Sequence, residues 1–446
     1  MMQKNNTIAL TALCLGFFMV IMDVTIVNVA LPSIALNLHT TISGLQWVVA
    51  GYTLVFACFL LFAGHLADQI GARKNLIAGL VFFVITSLAC GLAHTIQELI
   101  LFRLLQGASA AALVPSSLTL IKTLYEDKKE LAKAIGIWGG VGGIAAAAGP
   151  VLGAILTYWI SWRAVFFVNI PIGLFAIILV IHSVGESKIN PNVHFDLKGQ
   201  IAAILMIASL AFVLIEGGDL GWSSIIVMIA GLVFVLSLIT FILIEHHARQ
   251  PMFPLSFFKS RPFTISMIIG IFLNAGLYGE LFVLPLYFQG ERGYSVMMTG
   301  FAILPLLILV ALSSYSAGKL ASHYGPKLPL SLGLIIGVLG FFSLLIVGQH
   351  TPNYAWLIAP LAAVGFGTAL TMPAATMIAM HALPPDRAGI ASGAFNTSRQ
   401  LGSLIGVAVF GTVIAASQSF MHGMHVTLII AGVLFFIGFL LSSWLK

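Results

Sequence analysis

A succession of apolar runs limits what this chain can fold into more than any other feature. Fourteen are visible, at roughly 8–30, 46–66, 75–94, 97–121, 133–158, 164–184, 197–216, 222–244, 262–288, 297–318, 327–348, 354–380, 391–417 and 424–445. Each is about 20 residues long, the length that carries a helix across the hydrocarbon of a bilayer. At about 22 residues apiece they occupy roughly 308 of 446 positions. The rest must serve the loops and tails, which leaves no room for a soluble domain. A twelve-span reading would require 197–244 to be something else, yet those two runs are as apolar as their neighbours. The chain is 60% hydrophobic and 8% charged, so the fold class is an all-α polytopic membrane protein.

A formal net charge of +6 could suggest a nucleic-acid partner, but the placement of the charges argues against one. With the N-terminus inside, sixteen of the 20 Lys and Arg fall on the inner side. Arg163 and Arg292 fall outside, and Arg103 and Arg399 lie within spans. This asymmetry sets the orientation. It puts both termini in the cytoplasm and favours an even number of spans. Cys14, Cys58 and Cys90 all lie inside runs; they read as small apolar residues, with no disulfide framework. The first run is too long for a signal-peptide core and has no small-residue cleavage site after it, so it counts as a span.

Within this apolar background the ionisable residues stand out. Asp23 lies in the stretch that ends the first run, Met22-Asp23-Val24-Thr25-Ile26-Val27-Asn28-Val29-Ala30-Leu31-Pro32. If the helix starts near Ile8, Asp23 lies roughly 22 Å along it. A carboxylate at that depth is costly, so it is a functional candidate by default, neutral part of the time or paired. Span four opens Leu99-Ile100-Leu101-Phe102-Arg103-Leu104-Leu105-Gln106-Gly107. Arg103 sits close to the depth of Asp23 and shares a helical face with Gln106 at i,i+3. An Asp23–Arg103 pair carries a tension: a nearby guanidinium favours the charged carboxylate, whereas proton uptake near neutral pH needs the neutral form within reach. Burial must win, or the two must separate. The alternative for Arg103 is a structural role, bonding backbone carbonyls.

Glu280 in span nine is the second buried acid, at a similar depth, with Leu273, Gly276, Leu277, Leu284 and Tyr287 on its face. A carboxylate beside an aromatic ring suits a lipophilic cation; the alternative is a protonated, hydrogen-bonded structural Glu. Span thirteen carries Ser392, Asn396, Arg399 and Ser403 at helical spacing, a polar stripe facing protein or a water-filled path. Arg399 could instead snorkel to the inner interface. Tyr278, Tyr287, Phe288, Phe366, Met372 and Phe395 could line an adaptable apolar cavity, or simply pack.

The loop after span two reads Gly64-His65-Leu66-Ala67-Asp68-Gln69-Ile70-Gly71-Ala72-Arg73-Lys74. Glycines permit a tight turn, and Asp68 and Arg73 can pair across it. Gly318-Lys319-Leu320-Ala321-Ser322-His323-Tyr324-Gly325-Pro326-Lys327 repeats this loop at an offset of 254 residues, Gly64 to Gly318. The same offset aligns Lys133-Ala134 with Arg387-Ala388. Two related six-span halves follow, with spans seven and eight inserted between them. The boundaries expected are 1–190 for the first bundle, 191–250 for the inserted pair and 251–446 for the second bundle. Repeats of this kind with a site near the midplane mark transporters. The linker Pro251-Met252-Phe253-Pro254-Leu255-Ser256-Phe257-Phe258-Lys259-Ser260-Arg261-Pro262 mixes aromatics and bases and suits the inner lipid interface.

The loop at Gly64–Lys74 resembles the signature G-x-L-A-D-x-x-G-R-K of the major facilitator superfamily, with Ala72 where an Arg is usual and Gln69 replacing a base. Arg103-Leu104-Leu105-Gln106-Gly107 is similar to the family's R-x-x-Q-G. Gly149-Pro150 and Gly153 fit its antiport-associated G-x-x-x-G-P-x-x-G-G, with Ala145 and Ala154 in place of two glycines. The Met22–Pro32 stretch, Ser161-Trp162-Arg163-Ala164-Val165-Phe166-Phe167-Val168-Asn169-Ile170-Pro171-Ile172-Gly173 and Pro385-Asp386-Arg387-Ala388-Gly389-Ile390-Ala391-Ser392-Gly393 resemble the fourteen-span drug–proton antiporter branch. The resemblance implies a latch at Gly64, Asp68, Gly71 and Arg73, proton coupling through Arg103, and export rather than uptake. It also implies a bacterial plasma-membrane protein driven by the proton motive force, without cofactor.

No Gly-x4-Gly-Lys-Ser/Thr phosphate loop is present, so direct ATP drive is not expected. No metal-ligand spacing and no Ser/His/Asp constellation is visible, so no metal and no enzyme activity are expected. The reading is a monomeric carrier exchanging protons for amphipathic, cationic drug-like molecules at Asp23, Glu280, Tyr278, Tyr287, Met372, Asn396 and Arg399. Its rivals are a proton-coupled uptake carrier, a passive channel and a lipid-modifying membrane enzyme.

Overall fold

A computed structural model describes residues 2–125, 127–187, 189, 196–248, 253–346, 353–384 and 388–445. Pro385 to Arg387, Pro251, Met252, Lys188, Arg249 and Lys446 lie outside them, as do the side chains of Lys319 and Ser322 in the repeated loop. Among the described residues all regular structure is helical. Thirteen segments among the described residues are long and apolar enough, by length and composition, to cross a membrane. They match thirteen of the expected runs; the run at 297–318 is divided between two helices. The chain separates into two compact units, 1–40 with 47–195, and 41–46 with 196–446.

The first unit is built from α1 (Met2–Leu38), α2 (Ile42–Ile70), α3 (Ala72–Leu92), α4 (Ile96–Leu124), α5 (Lys128–Trp159), the short α6 (Ala164–Phe167) and α7 (Asn169–Ser183). Their starts follow local chemistry. Thr95 and Glu98 form a capping box at α4, and the Asp127 side chain accepts from the amides of Lys129 and Glu130 at α5. Helix α1 packs on α5, α7 and α4, and α3 packs on α4 and α7. The α1–α5 contact explains Gly149 and Gly153 of span five, though not Gly139 and Gly140, which an added Cβ would leave without contacts. A Cβ at Gly149 would overlap Thr25 Oγ1, and one at Gly153 would meet the Ile26 carbonyl at 2.5 Å. Small residues here let the two backbones approach. A Phe17–Trp138 stack at 3.6 Å extends the same seam.

The second unit comprises α8 (Leu197–Leu220), α9 (Ile225–His247), α10 (Arg261–Leu286), α11 (Val296–Ala302), α12 (Leu304–Tyr324), α13 (Lys327–Ser343), α14 (Ala355–His381), α15 (Ala388–Ala416) and α16 (Phe420–Ser443). A π-helical turn, Tyr287–Glu291, continues α10. The main seams join α10 to α15, α13 to α14 and α12 to α14. The pair expected at 191–250 appears as α8 and α9, and both fall in this unit. Helix α8 packs on α9 and α15, while α9 exposes Ile226, Ile229, Leu232, Leu236, Ile239 and Leu243. An apolar outer face of that extent is stable only against lipid or another protein.

The internal repeat extends to the backbone. Gly71, before α3, has φ 100°, and Gly325, before α13, has φ 79°. They are separated by the same 254 residues as Gly64 and Gly318. Both positions need a left-handed conformation that side chains resist, so glycine is required at each.

Candidate functional site

Asp23, Arg103, Gln106, Ser87 and Asn169, from four helices, converge in the interior of the first unit. Asp23 and Gln106 are fully buried, and Arg103 is 1% exposed. Arg103 Nη1 donates to Asp23 Oδ2 in a buried ion pair. The opposite oxygen, Oδ1, accepts from Gln106 Nε2 at 3.2 Å and from Asn169 Nδ2 at 2.8 Å. Arg103 makes further contacts. Its Nε donates to the Val48 carbonyl at 3.0 Å, its Nη1 also donates to Gln106 Oε1 at 2.9 Å, and its guanidinium lies 4.3 Å from the Tyr52 ring centroid. Ser87 Oγ accepts from Gln106 Nε2 at 3.2 Å and donates to the Phe166 carbonyl at 2.9 Å. Cys90 Sγ donates weakly to Gln106 Oε1 at 3.6 Å.

This cluster stabilises the charged carboxylate in two ways, by an opposite charge and by donors on both oxygens. It gives the tension in the sequence a geometric form: the Asp23 oxygens accept from three donors, and a proton can occupy an oxygen only where a donor withdraws or turns. Sequence reasoning found Asp23, Arg103 and Gln106. It missed Ser87, Cys90 and the role of Asn169, which are neutral residues on α3 and α7. The available signal was Asn169-Ile170-Pro171, a polar residue beside a proline at the α6–α7 break.

The second unit presents a different arrangement. Glu280 is fully buried, and neither carboxyl oxygen has a hydrogen-bond partner among the described residues. Aromatic rings crowd its helix: a Cβ at Gly279 would press on Phe410, and one at Gly276 on Phe435 and Phe341. An ionised carboxylate is costly where neither a donor nor a cation reaches it. Tyr287 is also fully buried, on the π-helical turn beyond α10, with its ring 5.2 Å from that of Phe288. In this conformation neither is open to a ligand.

Four other residues expected to meet the substrate, Tyr278, Met372, Asn396 and Arg399, are half-buried. Arg399 Nη1 donates to Asn396 Oδ1 at 3.2 Å, and the guanidinium lies close enough to Tyr278 for the two to interact electrostatically. Arg399 Nε has no partner, and no carboxylate pairs with this guanidinium among the described residues.

The loop expected to act as a latch departs from the pairing read in the sequence. Arg73 bonds Glu186 at 2.5 Å and the Ile181 carbonyl at 2.9 Å, not Asp68. Asp68 is exposed and has no hydrogen-bond or ion-pair partner among the described residues. The reason is steric and local. The backbone turns at Gly71, and the Ala72 amide donates to Ser187 Oγ at 2.6 Å, so the start of α3 is docked on the segment after α7. That places Arg73 beside Glu186.

Apolar helices enclosing buried charges mark a polytopic membrane protein with a functional site in its interior. The sequence profile of the Major Facilitator Superfamily matches residues 13–407, and the chain belongs to that family. Among its relatives is the multidrug resistance protein Stp of Mycobacterium tuberculosis (strain H37Rv), 36% identical over 415 residues, 93% of this chain and 77% of the relative. The methylenomycin A resistance protein of Streptomyces coelicolor is 32% identical over 438 residues, 98% of this chain and 91% of the relative. The tetracenomycin C resistance and export protein of Streptomyces glaucescens is 32% identical, covering 91% of this chain and 76% of the relative. The fold is shared with the nucleoside transporter NupG, at a TM-score of 0.69 and 13% identity, over 97% of this chain and 99% of that one. A bacterial homolog of the lysosomal transporter Spinster, inward-facing and unoccupied, gives 0.67 and 16%, over 98% and 97%.

Proposed function

We propose that this chain exports amphipathic drugs in exchange for protons across a bacterial plasma membrane, as a monomer of fourteen spans with both termini in the cytoplasm. The observation that carries the reading is the Asp23–Arg103 pair, buried in an apolar helix bundle with both carboxylate oxygens bonded. Relatives named for multidrug resistance and antibiotic export support the direction and the cargo. In the cycle, drug leaves on the outer side as Asp23 separates from Arg103 and takes a proton. Loss of that proton to the inside restores the pair and the affinity for drug. Only the difference in drug affinity between the two states can drive the switch. Glu280 acts as a second proton carrier, or meets a cationic drug once its surroundings open. Gly64, Asp68, Gly71 and Arg73 form the inner latch, and Gly149, Pro150 and Gly153 hold α5 against α1.

A second reading concerns the cargo alone. Arg399 has no carboxylate partner among the described residues. A half-buried guanidinium without a counter-charge favours compounds bearing an acidic or carbonyl group over cations.

Transport into everted membrane vesicles tests the proposal. With the lumen acidified, so that protons run outward, the vesicles should accumulate a fluorescent amphipathic cation such as ethidium, and a protonophore should abolish the accumulation. An uptake carrier would not accumulate it under that gradient, and a channel would only equilibrate it. A resistance profile across cationic, neutral and acidic compounds separates the two readings of the cargo.

A further inference from the structure

We propose that Asn169 is a positioning residue of the proton site: its amide donates to Asp23 while that acid is ionised and, turned over, accepts from it once it is protonated. This rests on the reading of Asp23 as the proton carrier.

Asn169 is fully buried at the first residue of α7. Its Nδ2 bridges Asp23 Oδ1 at 2.8 Å and Ser87 Oγ at 3.0 Å. Its Oδ1 has no hydrogen-bond partner among the described residues. The two ends of this amide therefore differ. One end holds the carboxylate, and the other is bonded to nothing that would pin the group in its present orientation. A buried orphan carbonyl is costly and needs a reason. Turning the amide through half a rotation supplies one. Oδ1 would then face Asp23, and the same short contact would become an acceptor for a carboxyl O–H. Ser87 can follow, because a hydroxyl both donates and accepts. At present it donates to the Phe166 carbonyl; rotated, it donates to the amide oxygen.

The proton count is simple. Asp23 takes one proton from the outer solution on Oδ1 as Arg103 withdraws from Oδ2, and gives it to the inner solution later. Asn169 gains and loses none. The other charged or titratable groups around the site are Arg103 on α4, which pairs with Asp23, Cys90 on α3, bonded to Gln106, and Tyr52 on α2, stacked on the Arg103 guanidinium. Residues Gly149 and Gly153 of α5 face Thr25 and Ile26. Helix α6 offers the Phe166 ring, 5.9 Å from the guanidinium. Asn169 is thus a neutral donor to Asp23 that varies with orientation.

Removing the amide costs the charged acid more than the neutral one, because the bond to a carboxylate is the stronger of the two. Asp23 in Asn169→Leu should protonate at higher pH. In proteoliposomes, the pH of half-maximal drug–proton exchange should move upward by about one unit, the scale of one donor lost to a carboxylate. Ser87→Ala, a milder change that leaves the amide in place, should move it the same way by about half as much. The carboxyl C=O band in infrared difference spectra, assigned by its absence in Asp23→Asn, should follow the same shift. If both variants fold and exchange with the wild-type midpoint and an unmoved band, the inference fails. If Asp23→Asn itself still exchanges protons for drug, the parent reading fails instead.

Discussion

Two fully buried acids of this protein, Asp23 and Glu280, are opposites. Asp23, in the first unit, is bonded on both oxygens, by Arg103 on one side and by Gln106 and Asn169 on the other. Glu280, in the second unit, is as deeply buried and has no hydrogen-bond partner among the described residues. The repeat does not relate them. At the 254-residue offset Asp23 falls on Leu277, and Glu280 falls on Ile26. The halves share a backbone plan, down to the turns at Gly71 and Gly325, but each has its own charge chemistry. A donor-rich setting favours the charged form of a carboxyl group, and a donor-free one the neutral form. Proton exchange requires a means of moving between such states.

Stability measurements can break this comparison. The largest effect is expected from Asp23→Leu, which leaves the Arg103 charge buried and uncompensated. The loss should be about 3–5 kcal/mol, read as a fall in the thermal midpoint of the detergent-purified protein. Glu280→Leu makes the contrasting case. A carboxyl without partners loses little on replacement by an apolar group of similar size, so the change should be within about 1 kcal/mol and can be stabilising. Equal losses in the two variants would show that the acids are not held differently. Between these extremes lies Gly149→Ala, whose added methyl overlaps Thr25 Oγ1 on the helix that carries Asp23. Overpacking there should cost about 1–3 kcal/mol and lower transport with it. The smallest effect is expected from Glu186→Gln, because that side chain is 56% exposed. Such a pair contributes about 0.2–1 kcal/mol, less at high salt. A larger effect on transport than on stability would support a latch.

Much of the fold was legible because lipid imposes a strict rule. Helices of about 20 apolar residues are the simplest way to bury backbone polar groups in hydrocarbon, so their pattern in the sequence predicts the pattern of spans. The break between α6 and α7 and the division at 297–318 were not legible, because an apolar run does not record where a helix is interrupted. Asp23 and Arg103 were legible for the same reason as the spans, since a charge in hydrocarbon is conspicuous. Asn169 and Ser87 were not. They are neutral and small, and what matters is their convergence from sites 146 residues and 19 residues away from Asp23 and Gln106 respectively. The partner of Arg73 was misread because proximity in sequence favoured Asp68, whereas the fold brings in Glu186 from 113 residues away. The isolation of Glu280 was equally hidden, as it depends on rings from α13, α15 and α16 around α10.

The most direct measurement is proton release on drug binding, followed with a pH indicator in weakly buffered solution, for wild type and Asp23→Asn. Wild type should release protons when drug binds. The variant should remain folded and, with drug raised until it binds, release markedly fewer per drug bound. Undiminished release from Asp23→Asn would contradict the central role given to this acid.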